Sequence, residues 1–205
     1  ILKSSGNLYL NKKMLKSVGY VLSGGFIVRE EIGSGECYYR NLLMGNQYFV
    51  LDESPLLKTR SFRKTISELQ SGLDLLQIGR NHYMNISVLE KIGIAKSDLI
   101  DFQEVVSRSF SDERYFTVKN IYERVPHKIL ELGFDDIFYE RLCRAHEGIG
   151  YIPSATGDIF YRGEHVRNLT DFVRDCIIDG MSVDELLSFV TQEFGISLEP
   201  NKTIE

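Results

Sequence analysis

Cys143 and His146 stand three residues apart in the run ERLCRAHEG. On a helix that spacing turns a thiol and an imidazole to one side, where they could supply two metal ligands. No second pair at zinc spacing accompanies them. His82, His127 and His165 are scattered, and so are Cys37 and Cys176. No metal is therefore expected. Nucleophilic chemistry has as little to work with. There is no G-x-S-x-G and no Walker pattern. Gly33-Ser34-Gly35 and Thr156-Gly157-Asp158 read as hairpin tips rather than phosphate cradles. Glu30-Glu31 and Asp135-Asp136 are adjacent pairs whose side chains point apart, so neither makes an acid/base couple. The expectation is a non-enzymatic chain with no catalytic residue, no cofactor and no small-molecule substrate.

The basic residues suggest a different chemistry. The 205 residues carry a net charge of −5, but the charge is split. Residues 1–64 hold ten Lys/Arg against five Asp/Glu, and residues 65–205 hold fourteen against twenty-four. Contact with a polyanion is expected near the N-terminus. Lys12, Lys13 and Lys16 fall on one side of a predicted helix, with Arg29 and Arg40 on the hairpin predicted to follow. Lys58, Arg60, Arg63 and Lys64 add a basic run. Five or six such contacts would give salt-sensitive affinity for nucleic acid through counterion release. The plainer alternative is a solvated charged face.

The elements that must position these groups read as follows. A helix spans residues 7–22 from a cap near Asn11, with Met14, Leu15, Val18, Val21 and Leu22 inward. Gly24-Gly25 ends it. Strands 26–32 and 36–40 follow, joined through Gly33-Ser34-Gly35. Residues 47–51 make one strand, and Asp52-Glu53-Ser54-Pro55 a turn. A helix runs over 61–76 and a short helical piece lies near 86–92. Ser97 caps a helix through Phe110. The alternating, β-branched run 115–121 is a strand. A short helix covers 126–132. Asp135 then caps a helix with Phe134, Phe138, Leu142 and Ala145 on its apolar face, and strands 149–153 and 158–162 close a hairpin around Ser154-Ala155-Thr156-Gly157. Leu169 to Asp179 is amphipathic. Ser182 and Glu185 form a capping box ahead of another helix, which Gly195 ends, and Pro200 could begin a further one.

Residues 97–163 thus run helix, strand, helix, helix, strand, strand. That order resembles the winged-helix variant of the helix-turn-helix superfamily. The fold class expected is α+β, mostly helical, with tandem winged-helix units and short hairpin wings. The divisions are 1–45, the C-terminal half of a unit; 46–96, a helical connector or degenerate unit; 97–165, a complete unit; and 166–205, the front half of a further helical unit. The chain begins at Ile1, without Met, and reads as a fragment of a longer array. The resemblance implies that residues 135–146 read a DNA groove, with Asp136, Tyr139, Glu140, Cys143 and Arg144 outward and Arg141 at the margin. Lys128, Arg141, Arg144, Arg162 and Arg167 could touch phosphate, although Asp135 and Asp136 would repel it. In each hairpin pair, Tyr38/Tyr39 and Phe160/Tyr161, alternation should leave one aromatic exposed.

Together these features predict a nucleic-acid-binding segment, with DNA favoured, of a regulatory or DNA-transaction protein. The alternative is a protein-interaction module or a structural scaffold built from the same repeats. A positive surface across Lys12, Lys16, Arg29 and Arg40 would favour DNA. An exposed apolar patch in neutral or acidic surroundings would favour a protein partner. No membrane-spanning run or signal peptide is visible. The three isolated cysteines suit a reducing compartment, so a cytoplasmic or nuclear location is expected.

Overall fold

Ser34 decides the path of the N-terminal third. Its hydroxyl accepts the Cys37 N–H at 3.1 Å, capping a helix that runs Gly35–Met44. The run Cys37-Tyr38-Tyr39-Arg40 is therefore helical and not a strand. Tyr39 and Leu43 are buried while Asn41 between them is exposed, a pattern a helix satisfies and a two-residue alternation does not. This computed structural model describes residues 11–23, 26–51, 59–112, 114–163 and 165–198. The turn expected at Asp52 to Pro55, the Gly24-Gly25 pair, Lys58 and the helix start at Pro200 lie outside them.

The chain is α+β, and its strands form small antiparallel sheets. It opens with α1 (Lys12–Ser17), capped by Asn11, whose Oδ1 accepts the Met14 N–H at 2.8 Å. The helix is shorter than its apolar pattern implies. Gly19 turns the chain at φ +78°, and β1 (Tyr20–Ser23) pairs with β2 (Phe26–Arg29). Then come α2 (Gly35–Met44), β3 (Tyr48–Val50), α3 (Arg60–Ser71), β4 (Leu75–Gly79) and β5 (His82–Asn85). The helix predicted over 61–76 stops at Gly72 because Leu73 turns into positive φ, and Leu75 starts a strand. After α4 (Ile86–Glu90) the order returns: α5 (Lys96–Ser109), β6 (Tyr115–Phe116), α6 (Val118–Arg124), a 3-10 turn (Lys128–Leu132), α7 (Asp136–Arg144), β7 (Gly150–Pro153) and β8 (Asp158–Tyr161). Asp98, rather than Ser97, caps α5 by accepting the Ala95 N–H at 2.7 Å. The strand predicted over 115–121 lasts two residues. Asn120 then accepts the Thr117 N–H at 2.9 Å, and α6 begins. Helices α8 (Leu169–Cys176) and α9 (Val183–Phe194) complete the described chain, α9 on the predicted Ser182–Glu185 capping box.

Two three-stranded sheets share one topology. The first is ordered β3-β5-β4 and the second β6-β8-β7, so in each the last strand lies between the other two. The shared strand order relates residues 35–85 to 97–163 rather than the N-terminal hairpin to the later one. One core runs through both halves. It joins Leu73, Leu76 and Met84 to Phe102, Phe116, Phe138, Leu142 and Phe160. A second cluster forms where Tyr115, Ile159 and Tyr161 meet Phe172, Val190 and Ile196. Consequently β8 is buried on both faces. Phe160 and Tyr161 are both enclosed, and neither is the exposed wing aromatic that alternation implied.

Two changes test this architecture in thermal or urea unfolding. Phe160→Ala should cost about 3–5 kcal/mol, as expected for a large side chain removed from a packed core. Ser34→Ala should cost about 1 kcal/mol through loss of the α2 cap. A neutral Ser34→Ala would show that the cap does not set the start of α2.

Candidate nucleic-acid interface

Helix α7 does not present a reading face. From Ile137 to Arg144 every residue is buried or half-buried. Tyr139 and Cys143, expected outward, are fully enclosed. Phe138 and Leu142 pack beside Leu73, Leu75 and Leu76, so β4 of the first half covers the apolar side of α7. Cys143 lies in the core, and burial pushes its thiol far above the ordinary range, which keeps it neutral. His146 lies apart, with Nδ1 accepting the Gly148 N–H at 3.0 Å and Nε2 at 3.5 Å from Glu104. Asp135 occupies the N-cap position of α7 without a side-chain hydrogen bond.

Most basic residues singled out from sequence are neutralised locally. Lys16 lies 3.8 Å from Glu30, Arg29 3.3 Å from Glu31, and Arg40 3.3 Å from Asp74. Lys128 pairs with Asp98 at 2.8 Å. Arg162 donates to the Ser107 carbonyl at 2.8 Å. Arg167 contacts Asp175 and the Tyr115 hydroxyl. Arg144 holds the buried Asp158 with two donors, Nη2 at 2.6 Å and Nε, and lies 4.0 Å over the Tyr151 ring. Lys12 and Lys13 are exposed on α1. These residues are spread over α1, β2, α2, the 3-10 turn, α7 and the end of β8. Of the nine placed in the predicted site, Arg141 and Arg144 line one cleft together.

The face that does assemble is on α3. Phe62, Thr65, Ile66 and Leu69 go into the core, leaving Arg60, Arg63, Lys64, Ser67, Glu68 and Ser71 exposed on the other side. No acidic residue sits in the first turn, so the positive end of the helix dipole adds to the two arginines. Lys64 is shared between Glu36 at 3.1 Å and Glu68 at 3.4 Å. Among the described residues no ion pair engages Arg60 or Arg63. The following hairpin turns at Arg80-Asn81, with Asn81 at φ +60° and Arg80 exposed. The basic run was visible in sequence. What sets its exposure is the helical spacing of Phe62, Ile66 and Leu69, which leaves the cations on the free side, and a hairpin with Arg80 at its turn follows.

Comparison with protein-family models, curated proteins and solved structures finds no match for this chain. Among the described residues no group of three or more His, Cys, Asp or Glu side chains could hold a metal, and no helix is long and apolar enough to cross a membrane.

Glu140 gives a pH test of this region. Its Oε1 accepts the Asp158 N–H at 2.9 Å. Burial, with help from nearby Asp158, raises its pKa above the ordinary value, and that hydrogen bond and the two arginines oppose the rise. A carboxyl group raised on folding stabilises the fold while protonated and loses that contribution as pH rises through its folded pKa. Glu140→Gln should therefore match the wild type below the usual glutamate range and melt higher than it at neutral pH. A variant that melts lower at neutral pH would show that the arginines outweigh burial.

Proposed function

We propose that the chain is a nucleic-acid-binding segment, with duplex DNA as the favoured target, built from two winged-helix units at residues 35–85 and 97–163. The shared strand order, with a helix immediately before each hairpin, supports that reading. The first unit is the binding unit. Its α3 is a helix of 12 residues, roughly 18 Å long at 1.5 Å per residue, and it enters the major groove with Arg60, Arg63 and Ser67 toward the DNA. Arg80, at the hairpin tip, meets the backbone as a wing residue does. The observation that carries the proposal is the exposed cationic face of α3, with no acid in its first turn. The second unit serves as a support, its own reading helix enclosed.

Fluorescence anisotropy with a mixed-sequence duplex of about 30 base pairs, at low and at physiological salt, tests it. Binding should fall steeply with salt. Arg60→Glu with Arg63→Glu should weaken it by at least about tenfold, whereas Lys12→Glu with Lys13→Glu should have the smaller effect. Equal losses would remove α3 as the site, and no binding at low salt would remove the function.

A protein partner is the second reading, and one feature favours it. Leu22 and Ile27 are directly paired across β1 and β2 and are 46% and 49% exposed, while the nearby Lys16 and Arg29 are matched by Glu30 and Glu31. That is an apolar patch in neutral surroundings.

A further inference from the structure

A cleft of about 180 Å³ opens between the C-terminal half of α3 and the C-terminal half of α7. Ser67, Gln70 and Ser71 line one wall, and Arg141, Arg144 and Tyr151 line the other. No acidic side chain lines it. The two arginines differ in state. Arg144 is saturated, its charge matched by Asp158 and its plane laid on Tyr151. Arg141 has a buried Nε with no hydrogen-bond partner. Among the described residues no carboxylate forms an ion pair with it. The Arg141 Nε is out of water and unmet, with no ion-pair partner beyond the field of neighbouring Glu140, and a planar fork beside hydroxyl donors suits a tetrahedral oxyanion. Ser67 also belongs to the exposed face of α3, so the cleft continues that face.

We infer that this cleft binds a phosphate group, held by Arg141 with Ser67 and Ser71, and that the phosphate is one from the backbone of the nucleic acid lying on α3. The second half of that statement rests on the proposed function, and the first does not. In this arrangement the enclosed α7 still contributes to binding, through one side chain that reaches the rim of the interface. The cleft is also a joint between the two halves of the chain. A phosphate there would be gripped from both sides, by α3 of one half and α7 of the other.

The test is a chemical-shift titration of the whole chain with inorganic phosphate, run beside the duplex assay. Saturable shifts are expected at Ser67, Ser71 and Arg141. Arg141→Gln should weaken phosphate binding by roughly tenfold. Ser71→Asp, an exposed change with little risk to folding, should weaken it as well. In the duplex assay Arg141→Gln should lower the slope of log K against log salt by about 0.9, the value of one phosphate contact. Phosphate binding lost in both variants with an unchanged duplex slope would keep the phosphate site but overturn nucleic acid as its source, leaving free phosphate or a phosphorylated small molecule. Absence of saturable shifts, or shifts that neither variant alters, would overturn the inference even if the duplex binds. Normal phosphate titration in a chain that binds no duplex would instead remove the proposed function alone.

Discussion

The charge of Asp158 constrains much of what surrounds it. Its side chain is 4% exposed, at the start of the central strand of the second sheet. A carboxylate in that position is tolerated only with a close cationic partner and further hydrogen bonds, because the interior does not solvate it. Arg144, in the last turn of α7, provides that partner through two donors. Meeting it fixes how α7 lies across the sheet. Glu140, one turn earlier, reaches the Asp158 backbone N–H from the same helix. Strand and helix are therefore pinned at two points. Gln103 of α5 adds a third hold on α7, donating to the Leu142 carbonyl at 2.6 Å.

With α7 held in that orientation, its other side must bury Phe138 and Leu142, and β4 of the preceding half supplies the surface. A helix flanked by a salt-bridged strand, a long helix, a core and a neighbouring sheet keeps little open surface beyond its first residue and the cleft that Arg141 lines. The same logic closes the far side of the sheet. Thr117 donates to the Phe194 carbonyl at 2.7 Å and Asn120 to the Glu193 carbonyl at 2.8 Å, so the start of α6 satisfies the end of α9. Phe172 and Val190 then cover Ile159 and Tyr161. The sheet of the second half is thus packed on both faces.

That division explains why two helices at corresponding places differ in exposure. Both precede a hairpin, and both are amphipathic. Around α3 the apolar stripe is narrow and its opposite side is free, so Arg60 and Arg63 remain exposed. Around α7 the cations are drawn into the joint. There Arg144 serves Asp158, while Arg141 keeps an unmet donor in the cleft.

Local chemistry was legible without coordinates wherever a short-range hydrogen bond decides the backbone. Asn11 caps α1, Ser182 and Glu185 bracket the start of α9, Gly195 ends it at positive φ, and the Ser154–Gly157 turn joins β7 to β8. The same chemistry was misread where two local patterns compete. The run 36–40 carries β-forming aromatics, but the Ser34 cap and the polar Asn41 between the buried Tyr39 and Leu43 favour a helix. Thr117 and Asn120 end a strand that β-branched composition would have continued. What the sequence by itself determined is the α+β class, the position of most element starts and the existence of a basic run at 58–64. Only the tertiary structure decided which faces are covered. Exposure depends on what another part of the chain lays against a helix, and a pattern of spacing within that helix carries no information about its neighbours.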